Sequence, residues 1–157
     1  LAPVTKISAP MCYECFFEGI LENRGEEDEE YKFYLGVKVP VTTLCPCSKE
    51  ISEYGAHNQR ALVSVKITYP EDEHIWLEDL IGNIEKCASC ELYPLLKRED
   101  EKYVTEHAYN NPKFVEDVLR DVVLLLRKND IIDSFEVECE SMESIHNHSA
   151  WAYQQEG

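Results

Sequence analysis

The sequence predicts an α+β fold, an antiparallel sheet with two helices packed on one face. Apolar residues alternate with period two near both ends of the chain, and two stripes at spacings of three and four lie between them. The strand runs flank the helix pair instead of alternating with single helices, which favours layers over a parallel sheet. At 157 residues with 44% hydrophobic content, one domain with a real core is expected, and no internal repeat marks a second.

The first sheet segments are residues 11–21 and 31–44, joined by the acidic, Gly-containing run 22–30, which has no apolar residue and reads as an exposed hairpin connection. In the second segment Phe33, Leu35, Val37 and Val39 fall on one face. Pro40 then interrupts the ladder before Thr42 to Cys45. Residues 61–69 repeat the alternation, with Val63, Val65 and Ile67 against Leu62 and Ser64, and end at Pro70. Leu77, Leu80, Ile81 and Ile84 place a helix over 75–87. Asn111-Pro112 opens a longer one, whose stripe of Val115, Val118, Leu119, Val122, Leu125 and Leu126 ends at Arg127, Lys128 and Asn129. Phe135, Val137 and Cys139 alternate with Glu136 and Glu138, and residues 150–153 form a last strand after an Asn/His/Ser-rich turn. The order is two strands, two helices, two strands, with the segment 11–21 as an extra strand in front.

Thirty-one acidic against 15 basic residues give a net charge of −16, a field that repels phosphate-rich polymers and argues against nucleic acid as the main partner. A phosphorylated small molecule remains compatible where Lys, Arg and helix N-termini gather locally. No apolar run has the length of a membrane span, and no secretory signal pattern opens the chain. Seven cysteines, an odd number with close pairs at 12/15, 45/47 and 87/90, suit a reducing compartment, so a cytoplasmic location is expected.

Cys45-Pro46-Cys47 stands at a strand end, and His57 follows after the turn-like Tyr54-Gly55-Ala56. A thiolate and an imidazole so placed bind zinc or another divalent transition metal. The imidazole could instead activate the thiol as a nucleophile, and a plain reading is a small buried cysteine with a surface histidine. Glu143, His146 and His148 lie in a turn after the strand at 134–140, where a carboxylate and two imidazoles suit metal binding and proton transfer or form a polar hairpin tip. Lys97, Arg98 and Lys102 could meet a triphosphate or belong to a solvated loop. Glu116 falls in the first turn of the long helix, which the helix dipole alone would explain. The pairs Cys12/Cys15 and Cys87/Cys90 could form a four-cysteine zinc site, although their separation is far wider than in zinc ribbons.

Five segments in order, LCPCSKEIS, GAHNQR, LLKREDEKYVTEHAY, NPKFVED and ESIHNH, span residues 44–148 and closely resemble the type IB GTP cyclohydrolase I family. The resemblance implies the tunnelling fold, a ββααββ unit that assembles into barrels. It implies hydrolysis and rearrangement of GTP by water to 7,8-dihydroneopterin triphosphate and formate, the first step of folate synthesis. A divalent metal ion, zinc or manganese, is implied as cofactor, and a homo-oligomer, a tetramer, with sites at subunit interfaces. By motif, Cys45 is the metal-binding cysteine, His57, Glu143 and His146 belong to the metal and proton-transfer set, and Glu101 is a further candidate for the metal shell. Cys45, His57 and His146 are then the catalytic residues, Glu116 the anchor for guanine, and Lys97 and Arg98 the phosphate contacts. Family members carry another module before this one, so residues 1–30 are expected to be an extra strand and acidic loop from that junction, and 31–157 the catalytic module.

Two rival readings predict different chemistry. A related tunnelling-fold enzyme would use Cys45 as a nucleophile on a deazapurine. A zinc-stabilised interaction module would take Cys12, Cys15, Cys87 and Cys90 as ligands.

Overall fold

A computed structural model describes residues 1–27 and 29–157; residue 28, within the acidic run, lies outside the described residues. The strands are β1 (Glu14–Glu22), β2 (Glu30–Leu44), β3 (Asn58–Thr68), β4 (Cys90–Glu91), β5 (Ser134–Met142) and β6 (Ala150–Glu156). The helices are α1 (Pro46–Ile51), α2 (Leu77–Lys86), α3 (Arg98–Asn110) and α4 (Val115–Leu126). The sheet runs β1-β2-β3-β5-β6, antiparallel throughout, with the short β4 added on β2. The ββααββ order is carried by β2, β3, α2, α4, β5 and β6, as the apolar patterning predicts.

One face of the sheet is the core. Leu35, Val37, Val39 and Val41 of β2, Val63, Val65 and Ile67 of β3, and Phe135, Val137 and Cys139 of β5 pack against Leu80, Ile81 and Ile84 of α2 and Val115, Val118, Val122 and Leu126 of α4. Period two in the strands and 3.6 in the helices supply these rows from the local sequence. On the opposite face Gly36 lies beneath the Phe16 ring, and a Cβ there would come within 2.0 Å of it, so the ring can lie over β2 in this position only because residue 36 has no side chain.

Three expectations are corrected. Pro40 does not interrupt β2, which runs unbroken to Leu44 with Pro40 opposite Leu62. β1 leaves the outer flank of β2 at Lys38 and β4 begins there at Val41, so the missing N–H falls in a gap and loses no ladder bond. Second, the long helix starts at Val115 and not at Asn111-Pro112. Residues before it form a bridge in which Lys113 N–H donates to Leu44 O (3.2 Å), and the Asp117 carboxylate accepts the Phe114 N–H (3.0 Å). Third, four helices stand among the described residues where two were expected. The helix α3 buries only Asp100 and Ala108, so it has no apolar stripe to read. It is held by Ala108 packing on Leu44 and Cys90, with Val104 and Tyr93 alongside.

At its start α3 is clasped to the first residues of the chain. The buried Asp100 accepts hydrogen bonds from the N–H groups of Val4 and Thr5 (2.9 Å each), from the Thr5 hydroxyl (2.6 Å) and from Lys97 N–H (3.0 Å). Burial alone would raise its carboxyl pKa; these bonds outweigh that and hold it well below the usual carboxylate range. Among the described residues no helix is long and apolar enough to cross a membrane.

Candidate active site

Antiparallel register gathers the chemical residues at one end of the sheet. The β2–β3 ladder ends with Leu44 opposite Asn58, and one step further Cys45 N–H donates to His57 O (3.3 Å), so thiol and imidazole belong to facing residues. The β3–β5 ladder ends with Arg60 opposite Met142, which brings Gln59 to Glu143. Residues 45, 57, 59 and 143 follow the alternation of Thr43, Ala61 and Ser141 and stand on the helix-covered face. The turn that returns the chain from α1 to β3 uses Gly55 at φ +111°, a conformation L side chains rarely adopt.

Each donor is held by a neighbour. Cys45 is buried and caps α1: its Sγ accepts from Ser48 N–H (3.4 Å), the Ser48 hydroxyl donates to its carbonyl (3.1 Å), and Pro46 suits the first helical position. Lys49, one turn on, donates to the Tyr109 carbonyl at the end of α3 and lies 4.2 Å from its ring centre, tying α1 to that helix. His57 has Nδ1 2.7 Å from Ser144 Oγ, while its Nε2 is buried without a hydrogen-bond partner. The buried Gln59 donates through Nε2 to Glu143 Oε1 (2.7 Å), and its Oε1 is likewise unpartnered. Glu143 lies 3.6 Å from His146 Nδ1, and the His146 and His148 rings stack at 5.3 Å.

A cleft of about 250 Å³ opens beside this corner, lined by Glu116, Glu143, His146 and His148 with Phe114, Val115 and Ala150. The Lys113–Leu44 bridge sets the start of α4 there, and Lys113 Nζ braces it by reaching Cys87 O (2.7 Å) and Asp121 (2.6 Å). A larger cleft of about 480 Å³ lies at the opposite end of the sheet around Tyr34, Tyr69 and Asp133 and is lined by neither thiol nor imidazole, so size does not locate the chemistry.

The structure therefore brings Cys45 and His57 together, and Glu143, His146 and Glu116 around the adjoining cleft. It does not bring Lys97, Arg98 and Glu101 to them. These are exposed at the start of α3, and Glu101 precedes Tyr109 by eight residues, about 12 Å along the axis. Among the described residues no three His, Cys, Asp or Glu side chains already surround one point as a metal site. That also leaves the four-cysteine site ungathered. Cys12 and Cys15 are exposed, and burial pushes the Cys87 thiol up and that of Cys90 up to about 11. Burial, with the charges of Glu116 and Glu138, pushes Cys139 up to about 12, so it stays a thiol near neutral pH. Gln59 and Ser144 escape sequence reasoning as individual residues. Their signal is positional, since Gln59 follows His57 by two on one strand face and Ser144 follows Glu143.

The donor chemistry fits a divalent transition metal. An imidazole nitrogen buried without a partner is what an ion would satisfy, and a thiol and a carboxylate lie on the same face. Activation of Cys45 by His57 would need Nε2 on the sulfur, and Nε2 makes no such bond.

A family model described as type I GTP cyclohydrolase folE2 matches residues 1–152. The chain is 56% identical over 151 residues to the GTP cyclohydrolase FolE2 of Azoarcus sp. (strain BH72), covering 96% of this chain and 54% of that protein. It is 57% identical over 151 residues to that of Thermosipho africanus (strain TCF52B), covering 96% and 56%, and 53% identical to that of Geobacter sp. (strain M21), covering 96% and 54%. The chain thus spans about half the length of the curated relatives it matches.

Proposed function

Because the chain belongs to the type I GTP cyclohydrolase folE2 family, we propose that the Cys45–His57–Glu143 corner is part of a site that converts GTP and water to 7,8-dihydroneopterin triphosphate and formate, the first step of folate biosynthesis. The observation that carries this is the buried, unpartnered His57 Nε2 on the residue facing Cys45, beside a cleft that holds Glu116, Glu143 and His146.

Cys45, His57 and Glu143 are the proposed metal donors, and Glu101, which stands away from them at the start of α3, is a candidate only from a second copy of the chain. Zinc and manganese both suit this mixture of soft and hard groups. When bound, such an ion polarises water for attack at C8 of the purine. The protein's own groups do the rest. Glu116, exposed at the mouth of the cleft, accepts two N–H bonds from the amide-like edge of guanine and so orients C8 toward Cys45 and His57. His146, with Nδ1 3.6 Å from Glu143, takes and returns protons as the imidazole ring opens, formate leaves and the freed amine recloses on the sugar carbons. Lys97 and Arg98 are the proposed phosphate contacts. Standing away from this cleft, they fit a site completed by a second copy in a homo-oligomer, a tetramer in this reading. The location proposed is the cytoplasm, where GTP is at hand and free thiols persist.

The test is incubation of the 157-residue chain with GTP and added manganese or zinc, followed for formate and for a fluorescent pterin after oxidation. The reading expects both products from the parent and neither from Cys45→Ala; absence of formate with either metal would sink it.

A further inference from the structure

We propose that Ser144 is a positioning residue that fixes the ring orientation and tautomer of His57, so that Nε2 is offered as a lone-pair donor to a divalent transition metal. The inference rests on the reading of Cys45 and His57 as metal donors, and concerns a residue that neither donates to a metal nor lines the cleft. Its basis is a pair of observations on one ring: Nδ1 lies 2.7 Å from Ser144 Oγ, and Nε2 is buried with no partner.

A neutral imidazole has one N–H and one lone pair, and the bond made by one nitrogen selects which the other carries. If the Ser144 hydroxyl donated to Nδ1, the proton would sit on Nε2, and a buried N–H would have no acceptor. If Nδ1–H donates to Ser144 Oγ, Nε2 carries a lone pair, which a bound ion would satisfy. Orphaned buried N–H groups are the rarer of the two defects, and metal-ligating histidines commonly donate their other N–H to an outer partner. Ser144 is at the mouth of the β5–β6 connection, just beyond the ladder that aligns Gln59 with Glu143. The backbone that carries the donor Glu143 therefore also carries the group that orients the donor His57. His57, just before β3, and Gln59, within it, reach across to two consecutive residues: His57 to Ser144, and Gln59 to Glu143.

The experiment uses the metal-free 157-residue chain, Ser144→Ala and Ser144→Thr, titrated with zinc against a chromophoric chelator, together with ¹⁵N NMR of the His57 ring. The expected results are a roughly 10–100-fold weaker zinc affinity in Ser144→Ala, recovery to within a few-fold in Ser144→Thr, and an Nδ1–H tautomer of His57 in the parent. An Nε2–H tautomer in the parent, an unchanged affinity in Ser144→Ala, or a parent that takes up no zinc overturns the inference. The parent tautomer decides the matter even where Ser144→Ala does not fold. Zinc binding that depends on Ser144 in a chain that releases no formate from GTP leaves this inference standing and removes the cyclohydrolase reading. Formate release with zinc affinity independent of Ser144 does the reverse.

Discussion

Gln59 is the residue whose neighbours matter most beyond the donors themselves. Its amide holds one oxygen of Glu143, a carboxylate only 10% exposed, and nothing else among the described contacts fixes that oxygen. Gln59→Leu keeps the volume and removes the bond, leaving a nearly buried carboxylate without its donor, a loss of about 1–3 kcal/mol. Turnover should fall roughly 10–100-fold, as for other outer partners of metal ligands, and steady-state formate release measured beside urea unfolding would separate the two effects. An unchanged rate with unchanged stability would show that Glu143 is placed by something else. Cys45→Ala tests a different point. The cap interaction it removes amounts to only about 1 kcal/mol, so a folded variant with lost metal content is expected, read by elemental analysis. Cys45 and His57 were legible as candidates from their side-chain chemistry. That His57 lacks a partner at one nitrogen and has Ser144 at the other was not, because the pairing joins residues 87 apart in sequence.

At the scale of elements, two helices are held in unlike ways. α2 is held by its apolar stripe, with Ile84 fully buried in the core it shares with the sheet, so Ile84→Ala should destabilise by about 2–5 kcal/mol in chemical denaturation. A value under 1 kcal/mol would mean the stripe is not core. α3 has only the small apolar contact at Ala108 and is fastened by polar contacts at its ends, Asp100 at the start and Lys49 at the finish. Asp100 has a folded pKa below its unfolded value, so its contribution is present above the unfolded value, about 3.9, and is lost as pH falls through the folded one. Asp100→Ala should therefore be less stable than the parent at pH 6, with the gap closing as pH drops below about 4. Thermal melts across that range check it, and a gap that stays constant would show that the clasp does not act through the carboxylate. This contrast also explains what could be read beforehand. The stripe of α2 repeats along the local sequence, whereas Val4 and Thr5, which Asp100 clasps, lie more than ninety residues away.

At the scale of the whole molecule, a net charge of −16 on 157 residues opposes the compact state. Several of the ion pairs are exposed, such as Lys102–Glu106 and Arg120–Asp117, and contribute little against it. Raising salt from about 20 to 200 mM shortens the Debye length from roughly 20 to 7 Å and should raise the Tm by a few degrees, about 1 kcal/mol. A Tm that falls on adding salt would show that attractive pairs dominate instead.

The sheet, its two core-facing helices and the candidate chemical residues are legible along the chain, because period-two and period-3.6 burial and side-chain type are written in neighbouring positions. The sequence also carried the family, through motifs whose order spans residues 44–148. Which of those residues meet is set by the folded arrangement alone. Antiparallel register placed Cys45 on His57 and Gln59 on Glu143, the Lys113 bridge set Glu116 beside them, and the polar hold on α3 left Lys97, Arg98 and Glu101 apart. Such contacts depend on strand pairing between distant segments, and no local pattern encodes which pair will form.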